Sequence, residues 1–401
     1  MTRPPGLVLT VAERLADPAT VPRLTITQHR QHLAYGPPGI ALLHIELAVA
    51  EEGPWQHAHA WLTAATHGPV TSGRDSHPFY GAPALAHAVA TAAPHMPSYR
   101  RTRDLLDRQI TADVLARIAR AQCRLDEGTP PALAEFDAIR GLTGYGTYLI
   151  HHQPDSVATQ AVLDYCARLT DTLHADGDAL PGWWAPAGPS GKPDDRFPDG
   201  HANNGVAHGI GGTLALLALA AQRGLTTDHH HQAIRAVLAW LDRWEQESLG
   251  GTLWPYWITR EELRAGRAQP SAMRRPSWCY GTAGLARAQQ LAALALGDRA
   301  RQDAAEHALL AACTDPAQLA PLTDSGLCHG RSGLAHIAAR AATDAPALTA
   351  KRLRAVIPDL VATVTVPDEP GFLDGAAGIA LAVWSGLQQP HTAWDACVLT
   401  S

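Results

Sequence analysis

The sequence predicts an all-α protein, an α/α toroid or double barrel of about seven inner and seven outer helices. Three observations lead there. A Gly-rich turn followed by a small-residue apolar helix recurs seven times along 401 residues. The segments between the copies read as charged, amphipathic helices. Period-two runs of Val, Ile, Phe and Tyr, the mark of strands, are scarce, while Ala and Leu dominate.

The copies begin at Gly36, Tyr80, Gly141, His208, Cys279, Cys328 and Leu373, roughly 45–70 residues apart. That spacing accommodates two helices and their connections. Glycine lets the backbone turn sharply and lets neighbouring helices approach. A helix apolar on most faces must be buried, so these seven form the inner ring. The intervening helices are expected near Thr102–Leu125, Ser156–Leu173, His229–Gln246 and Leu348–Ile357. In the first of them Leu105, Ile110, Val114, Leu115 and Ile118 are assigned to one face. The last should stop or kink before Pro358. Closure of the ring would gather the seven turns at one end. The organisation expected is a single domain over residues 1–401, with the N-terminal ~30 residues as the first outer segment. Short strands are allowed near Leu7–Ile26 and in the loops. Two long connections, Asp176–Ala207 and Leu249–Trp278, are rich in Trp, and we expect them to be ordered and to line a cavity mouth.

Composition narrows the function. Hydrophobic residues make up 46% and charged residues 17%, as in a globular protein with a large core. The net charge is −6 and no basic tract occurs, which argues against nucleic acid as a partner. No signal peptide and no apolar run of membrane-spanning length is present, so a cytoplasmic location is expected. Six cysteines in such a compartment do not suggest a disulfide framework. Cys123, Cys166, Cys313 and Cys397 read as small core residues.

If the turns converge, their polar residues share one site. The fourth contributes His208, the fifth Cys279 with Tyr280, the sixth Cys328 with His329, and Asp137 precedes the third. Two cysteines and one histidine make a catalytic-type Zn2+ set, with the fourth position left for water or substrate. Both cysteines would sit at helix N-termini, which favours the thiolate. Taken singly, each of these residues is as well explained by packing. Their equivalent placement on the repeat is what favours the metal. His201 or Asp374 could supply a fourth ligand and make the site structural. The run His229–His231 reads as a solvated face, Asp374 as a turn cap, and the first two turns as purely architectural.

The motifs Trp278-Cys279-Tyr280-Gly281, Cys328-His329-Gly330 and Gly205-Val206-Ala207-His208-Gly209-Ile210 resemble the signatures of the lanthionine synthetase C-like family, the lanthipeptide cyclases. So does Phe136-Asp137 before Gly141-Leu142, and the repeats resemble that family from about Gly36 to Val383. The resemblance implies an α/α toroid with zinc on Cys279, Cys328 and His329. It implies that His208 acts as acid and base, and that Asp137 orients it or stabilises its charge. Arg275 and Tyr280 would stabilise an enolate oxygen. The implied reaction adds cysteine thiols of a dehydrated precursor peptide, leader plus core, across dehydroalanine or dehydrobutyrine to make thioether rings. A separate dehydratase is implied as a partner, with an exporter as a further candidate and association with a membrane only through such a complex. Two rival activities are addition of glutathione or another thiol to dehydroamino acids, and a non-catalytic scaffold of a peptide-modifying complex. A carbohydrate-active toroid would need paired carboxylates, and the turns offer only Asp137 and Asp374 without equivalent partners.

Overall fold

The computed structural model describes residues 6–21, 29–248, 250–270 and 275–401. The chain divides into two compact units, residues 1–110 with 322–396 and residues 111–321 with 397–401. In both units each Gly-rich turn opens a helix that is buried on nearly every face.

In the first unit these helices are Pro37–Val49, Ala82–Ala92, Arg331–Asp344 and Ala376–Leu387. Pro37–Val49 packs against both Ala82–Ala92 and Ala376–Leu387, and the latter packs on Arg331–Asp344. Three further helices cover them. Trp55–Ala65 lies on Pro37–Val49, Ala347–Ala362 on Arg331–Asp344, and Gly6–Arg14 on Ala376–Leu387. The N-terminal segment is therefore helical over Gly6–Arg14, not a strand; residues 22–28 of the expected strand region lie outside the described residues. Pro358 does not stop its helix, which runs on to Ala362. The proline removes one helical hydrogen bond, and burial of Ile357 and Leu360 in the core on either side of it offsets that loss.

In the second unit Leu142–His152 packs on Ile210–Gln222, which packs on Thr282–Leu296. Val157–Arg168, His230–Trp244 and Arg299–Thr314 cover them in the same order. The long helix Arg100–Asp126 buries Ile110, Val114, Ile118 and Ala121, while Leu105 and Leu115 are exposed. Its inward stripe thus follows the i, i+4 row and is narrower than the sequence suggests.

The glycines that cap the seven buried helices are required mainly by crowding. A Cβ at Gly36, Gly209, Gly330 or Gly375 would stand 1.8–2.3 Å from a backbone atom of the preceding loop. Only Gly81 and Gly281, at φ 77° and 121°, also need the left-handed freedom of glycine. Adjacent turns are also joined by backbone hydrogen bonds. In the first unit Cys328 N–H donates to the Leu373 carbonyl (2.9 Å), Phe372 N–H to Ala34 (2.7 Å) and Leu33 N–H to Phe79 (2.8 Å). In the second, Ala138 N–H donates to Ala207 and Val206 N–H to Cys279, both at 3.0 Å. The donor or acceptor lies two or three residues before the cap glycine in every case, so the turns stand in one register.

Short strands occur within the two long connections of the second unit. Trp184–Ala185, His201–Asn203 and Trp257–Thr259 form an antiparallel sheet that ties one connection to the other. Of two hairpins, Thr172–Ala175 with Asp178–Pro181 precedes the sheet in sequence, and Gln246–Ser248 with Gly251–Leu253 lies between its last two strands. Trp183, Trp184 and Trp254 are buried. Trp183 meets Trp240 of the helix His230–Trp244 edge-on at 5.3 Å, so its ring packs the connection against that helix.

Buried polar groups tie the chain ends to the helices. In the first unit His44 and Trp61 both donate to the Leu15 carbonyl at 2.7 Å, and His87 donates to the Trp394 carbonyl at 2.9 Å. Glu46, fully buried, accepts from Thr392 N–H and Oγ1, His391 N–H and the Trp384 indole. In the second, Trp278 and Arg287 donate to the Val398 and Thr400 carbonyls. The His229–His231 run is not a uniformly solvated face: His230 is buried and donates to the Leu217 carbonyl at 2.8 Å. Cys166 and Cys313 are buried, as expected of core residues, and burial pushes both thiols up to about 12, whereas Cys123 is exposed. No described helix is long and apolar enough to cross a membrane.

Candidate active site

The residue immediately before each cap glycine stands at the open edge of its turn. In chain order these residues are Tyr35, Tyr80, Arg140, His208, Tyr280, His329 and Asp374. Each precedes a buried glycine, and none of the seven is itself buried. Helix packing closes one side of the turn, so the side chain at this position must point outward.

In the second unit the fourth and fifth turns place His208, Cys279 and Tyr280 together. His208 Nδ1 lies 2.7 Å from Asp137 Oδ2, and Asp137 is 2% exposed. The other carboxylate oxygen, Oδ1, accepts from Arg140 N–H (2.5 Å) and Gly141 N–H (3.0 Å). Asp137 is thus both the turn cap and the partner of His208, one oxygen for each task. A buried carboxylate in this position keeps the histidine proton on Nδ1 and leaves Nε2 as the atom available for proton transfer. The Cys279 carbonyl is held by Val206 N–H, and a Cβ on Gly205 would strike that carbonyl and the Tyr280 ring at 2.7 Å. The Tyr280 ring lies 6.4 Å from His208, between centroids, and its hydroxyl accepts from Asn203 Nδ2 at 2.9 Å. Tyr256 and Trp257 pack around it. Arg275 is half-buried; its carbonyl accepts from the Tyr256 hydroxyl at 3.2 Å, and burial pushes that phenol up to about 12.

In the first unit the sixth turn carries Cys328 and His329. His329 Nε2 is 3.1 Å from Asp324 Oδ2, and Nδ1 is 3.4 Å from Asp374 Oδ1. Asp324 escaped the sequence reading. Its signal is an Asx turn, with Oδ1 accepting from Gly326 N–H at 3.0 Å, and such turns are common without function.

Cys279, Cys328 and His329 each offer one ligand atom, and the three lie within 4.8 Å of one another. A tetrahedral zinc bound at about 2.3 Å to sulfur sets its donors roughly 3.5–3.8 Å apart, which fits this spread. Cys279 is buried and the other two are half-buried. His201 is engaged elsewhere: its Nδ1 meets the Ala187 carbonyl at 2.9 Å, and burial holds the imidazole down to about 4. Asp374 faces His329 and is not one of the three.

The model of the lanthionine synthetase C-like protein family matches residues 27–399. The nisin biosynthesis protein of Lactococcus lactis subsp. lactis is 25% identical over 262 residues, or 65% of this chain. The chain matches 60% of that relative's length. A solved structure of nisin cyclase superposes with a TM-score of 0.82 at 22% identity, covering 98% of this chain and 97% of the other. The fold is accordingly the α/α toroid that the repeats and the family resemblance predict.

Proposed function

Because the chain belongs to the lanthionine synthetase C-like protein family, we propose that it is a zinc-dependent lanthipeptide cyclase, one toroid domain over residues 1–401 with its N-terminal ~30 residues as the first outer segment. The observation that carries the proposal is the convergence of two thiols and one imidazole within 4.8 Å. A soft donor set of two sulfurs and one nitrogen suits zinc and leaves a tetrahedral position for a substrate thiol. Zinc bound there would favour loss of the thiol proton at neutral pH while keeping the sulfur nucleophilic.

The remaining work falls to side chains. His208 Nε2 takes the proton of the peptide cysteine. The sulfur bonds to the β-carbon of dehydroalanine or dehydrobutyrine, the C=C π pair moves toward the carbonyl, and His208 returns the proton to the α-carbon. Asp137 keeps the ring oriented and balances its transient charge. Arg275 and Tyr280 supply donors for the enolate oxygen. Protons and electrons balance without a co-reactant. The substrate is a precursor peptide, leader and core, already dehydrated by a separate enzyme. An exporter and a cytoplasmic setting belong to the same proposal.

The test is metal content by elemental mass spectrometry, wild type beside Cys328→Ala, followed by thioether formation on a peptide bearing dehydroalanine and cysteine. About one zinc per chain, lost together with activity in the variant, is expected. A metal-free, inactive wild type would leave a scaffold that keeps the motifs without the chemistry.

A further inference from the structure

The first two turns carry no group for proton transfer or metal binding, yet they are not bare. Tyr35 and Tyr80 occupy the same register position as His208, Tyr280 and His329. Around them the first unit assembles a patch of five rings. His29 lies 5.7 Å from Tyr35; His32 lies 4.7 Å from Tyr35, 5.8 Å from His77 and 6.1 Å from Tyr80, and His77 lies 5.8 Å from Tyr80. A backbone bridge pairs His32 with Tyr80 and another pairs His77 with Tyr80, so the patch is built by backbone as well as by side chains. His32 Nδ1 accepts from Ala34 N–H at 3.1 Å and His77 Nδ1 from Phe79 N–H at 3.3 Å, which keeps each imidazole proton on Nε2. Tyr35 is 47% exposed, and both histidines are half-buried. A fixed array of rings with one face open to water offers a flat surface on which a planar ligand group can stack.

The patch is joined to the sixth turn by two lateral hydrogen bonds, Cys328 to Leu373 and Phe372 to Ala34. Each lateral step between hydrogen-bonded backbones is about 4.8 Å, which sets Tyr35 roughly 10 Å along the edge from Cys328. An extended peptide covers that distance in about three residues.

We infer that Tyr35 and Tyr80, with His32 and His77, form a binding platform for the stretch of precursor peptide that flanks the reacting cysteine. Planar amides and the conjugated plane of dehydro residues stack on the tyrosine faces, and the histidine rings packed beside the tyrosines hold those faces in place. The four are positioning residues, acting on affinity and not on proton transfer. The inference rests on the cyclase proposal above and adds where along the turns the rest of the peptide lies.

The experiment compares two synthetic peptides, each with one dehydroalanine and one cysteine. One ends at these residues; the other extends several residues beyond both. Stacking of one ring is worth about a 3-fold change in affinity, so Tyr35→Ala with Tyr80→Ala should raise KM for the long peptide about tenfold. KM for the short peptide should change less than about twofold by the same reasoning. Tyr35→Phe with Tyr80→Phe, which keeps the faces, should restore the long-peptide KM. Equal KM for the long peptide in wild type and double alanine variant overturns the inference, as does an equal loss on both peptides, the mark of a merely structural role. If the double variant does not fold, Tyr35→Ala alone, at a largely open side chain, carries the same criteria. Wild type that holds zinc but cyclises neither peptide refutes the cyclase proposal, and this inference with it.

Discussion

Asp137 performs two tasks with two oxygens, and two substitutions at this residue should separate them. In Asp137→Asn the side-chain oxygen can stay where Oδ1 accepts from Arg140 and Gly141 N–H, so the turn keeps its cap. The amide NH2 then replaces Oδ2 at 2.7 Å from His208 Nδ1. An NH2 can only donate, so His208 must accept at Nδ1 and carry its proton on Nε2. That is the wrong tautomer for a base at Nε2. General acid–base catalysis is worth about 10²–10⁴-fold, and we expect a loss of that size in kcat with the melting temperature nearly unchanged. Asp137→Ala should lose the same activity and, with two N–H groups left uncapped in a buried turn, about 1–2 kcal/mol of stability as well. In a protein of this size that is roughly 2–4 °C or less in Tm. The assay is thioether formation by mass spectrometry after alkylation of free thiols, beside thermal melting and zinc content. Asp137→Asn cyclising at the wild-type rate would show that His208 does not work through Nε2, and the proton-transfer scheme would fall.

Two further predictions concern stability. Burial holds the His44 imidazole down to about 4, so the native state refuses a proton that the unfolded chain takes up below its ordinary 6.5. The stability is complete above that value and is lost as the pH falls from 6.5 toward 4, at about 1.4 kcal/mol per unit. His44→Gln keeps a donor for the Leu15 carbonyl but does not titrate. Between pH 7 and pH 5, urea unfolding should show the wild type losing about 2 kcal/mol more than the variant, and equal losses would contradict a buried neutral imidazole. Gly281→Ala would set a Cβ 1.9 Å from the Arg275 carbonyl at a φ of 121°, whereas Gly297→Ala, at φ 67°, meets nothing within 4 Å. The second should cost about 1–2 kcal/mol, the left-handed penalty alone. The first must shift backbone beside Cys279 and should lower zinc occupancy besides costing more; similar effects from the two would refute the crowding account.

The seven buried helices were legible because their signal is local. Each begins with glycine and continues with small apolar residues, and no other pattern competes with it. Residues of the candidate site were legible to the extent that they share that register, as His208, Cys279, Cys328 and His329 do. Readings failed where burial depends on neighbours distant in sequence. Leu105 and Leu115 look as apolar as Ile110 but face water, and Trp183 and Trp254 are buried although they lie in long connections. Asp324 and Asn203 carry no pattern that separates a site residue from an ordinary turn; only their distances to His329 and Tyr280 do so.

By itself, the sequence determined the repeat, the all-helical class, the chemical types available at the turns and the resemblance to the family. These follow from periodicity and residue type, which act over a few residues. Only the tertiary structure decided which atoms meet. Asp137 is 71 residues from His208, and one of its oxygens reaches the imidazole because Ala138 is hydrogen-bonded to Ala207 across neighbouring turns. The same lateral bonds put Tyr35 and Tyr80 in line with the sixth turn. Contacts of that range are set by how buried helices close against one another, and no local preference along the chain encodes them.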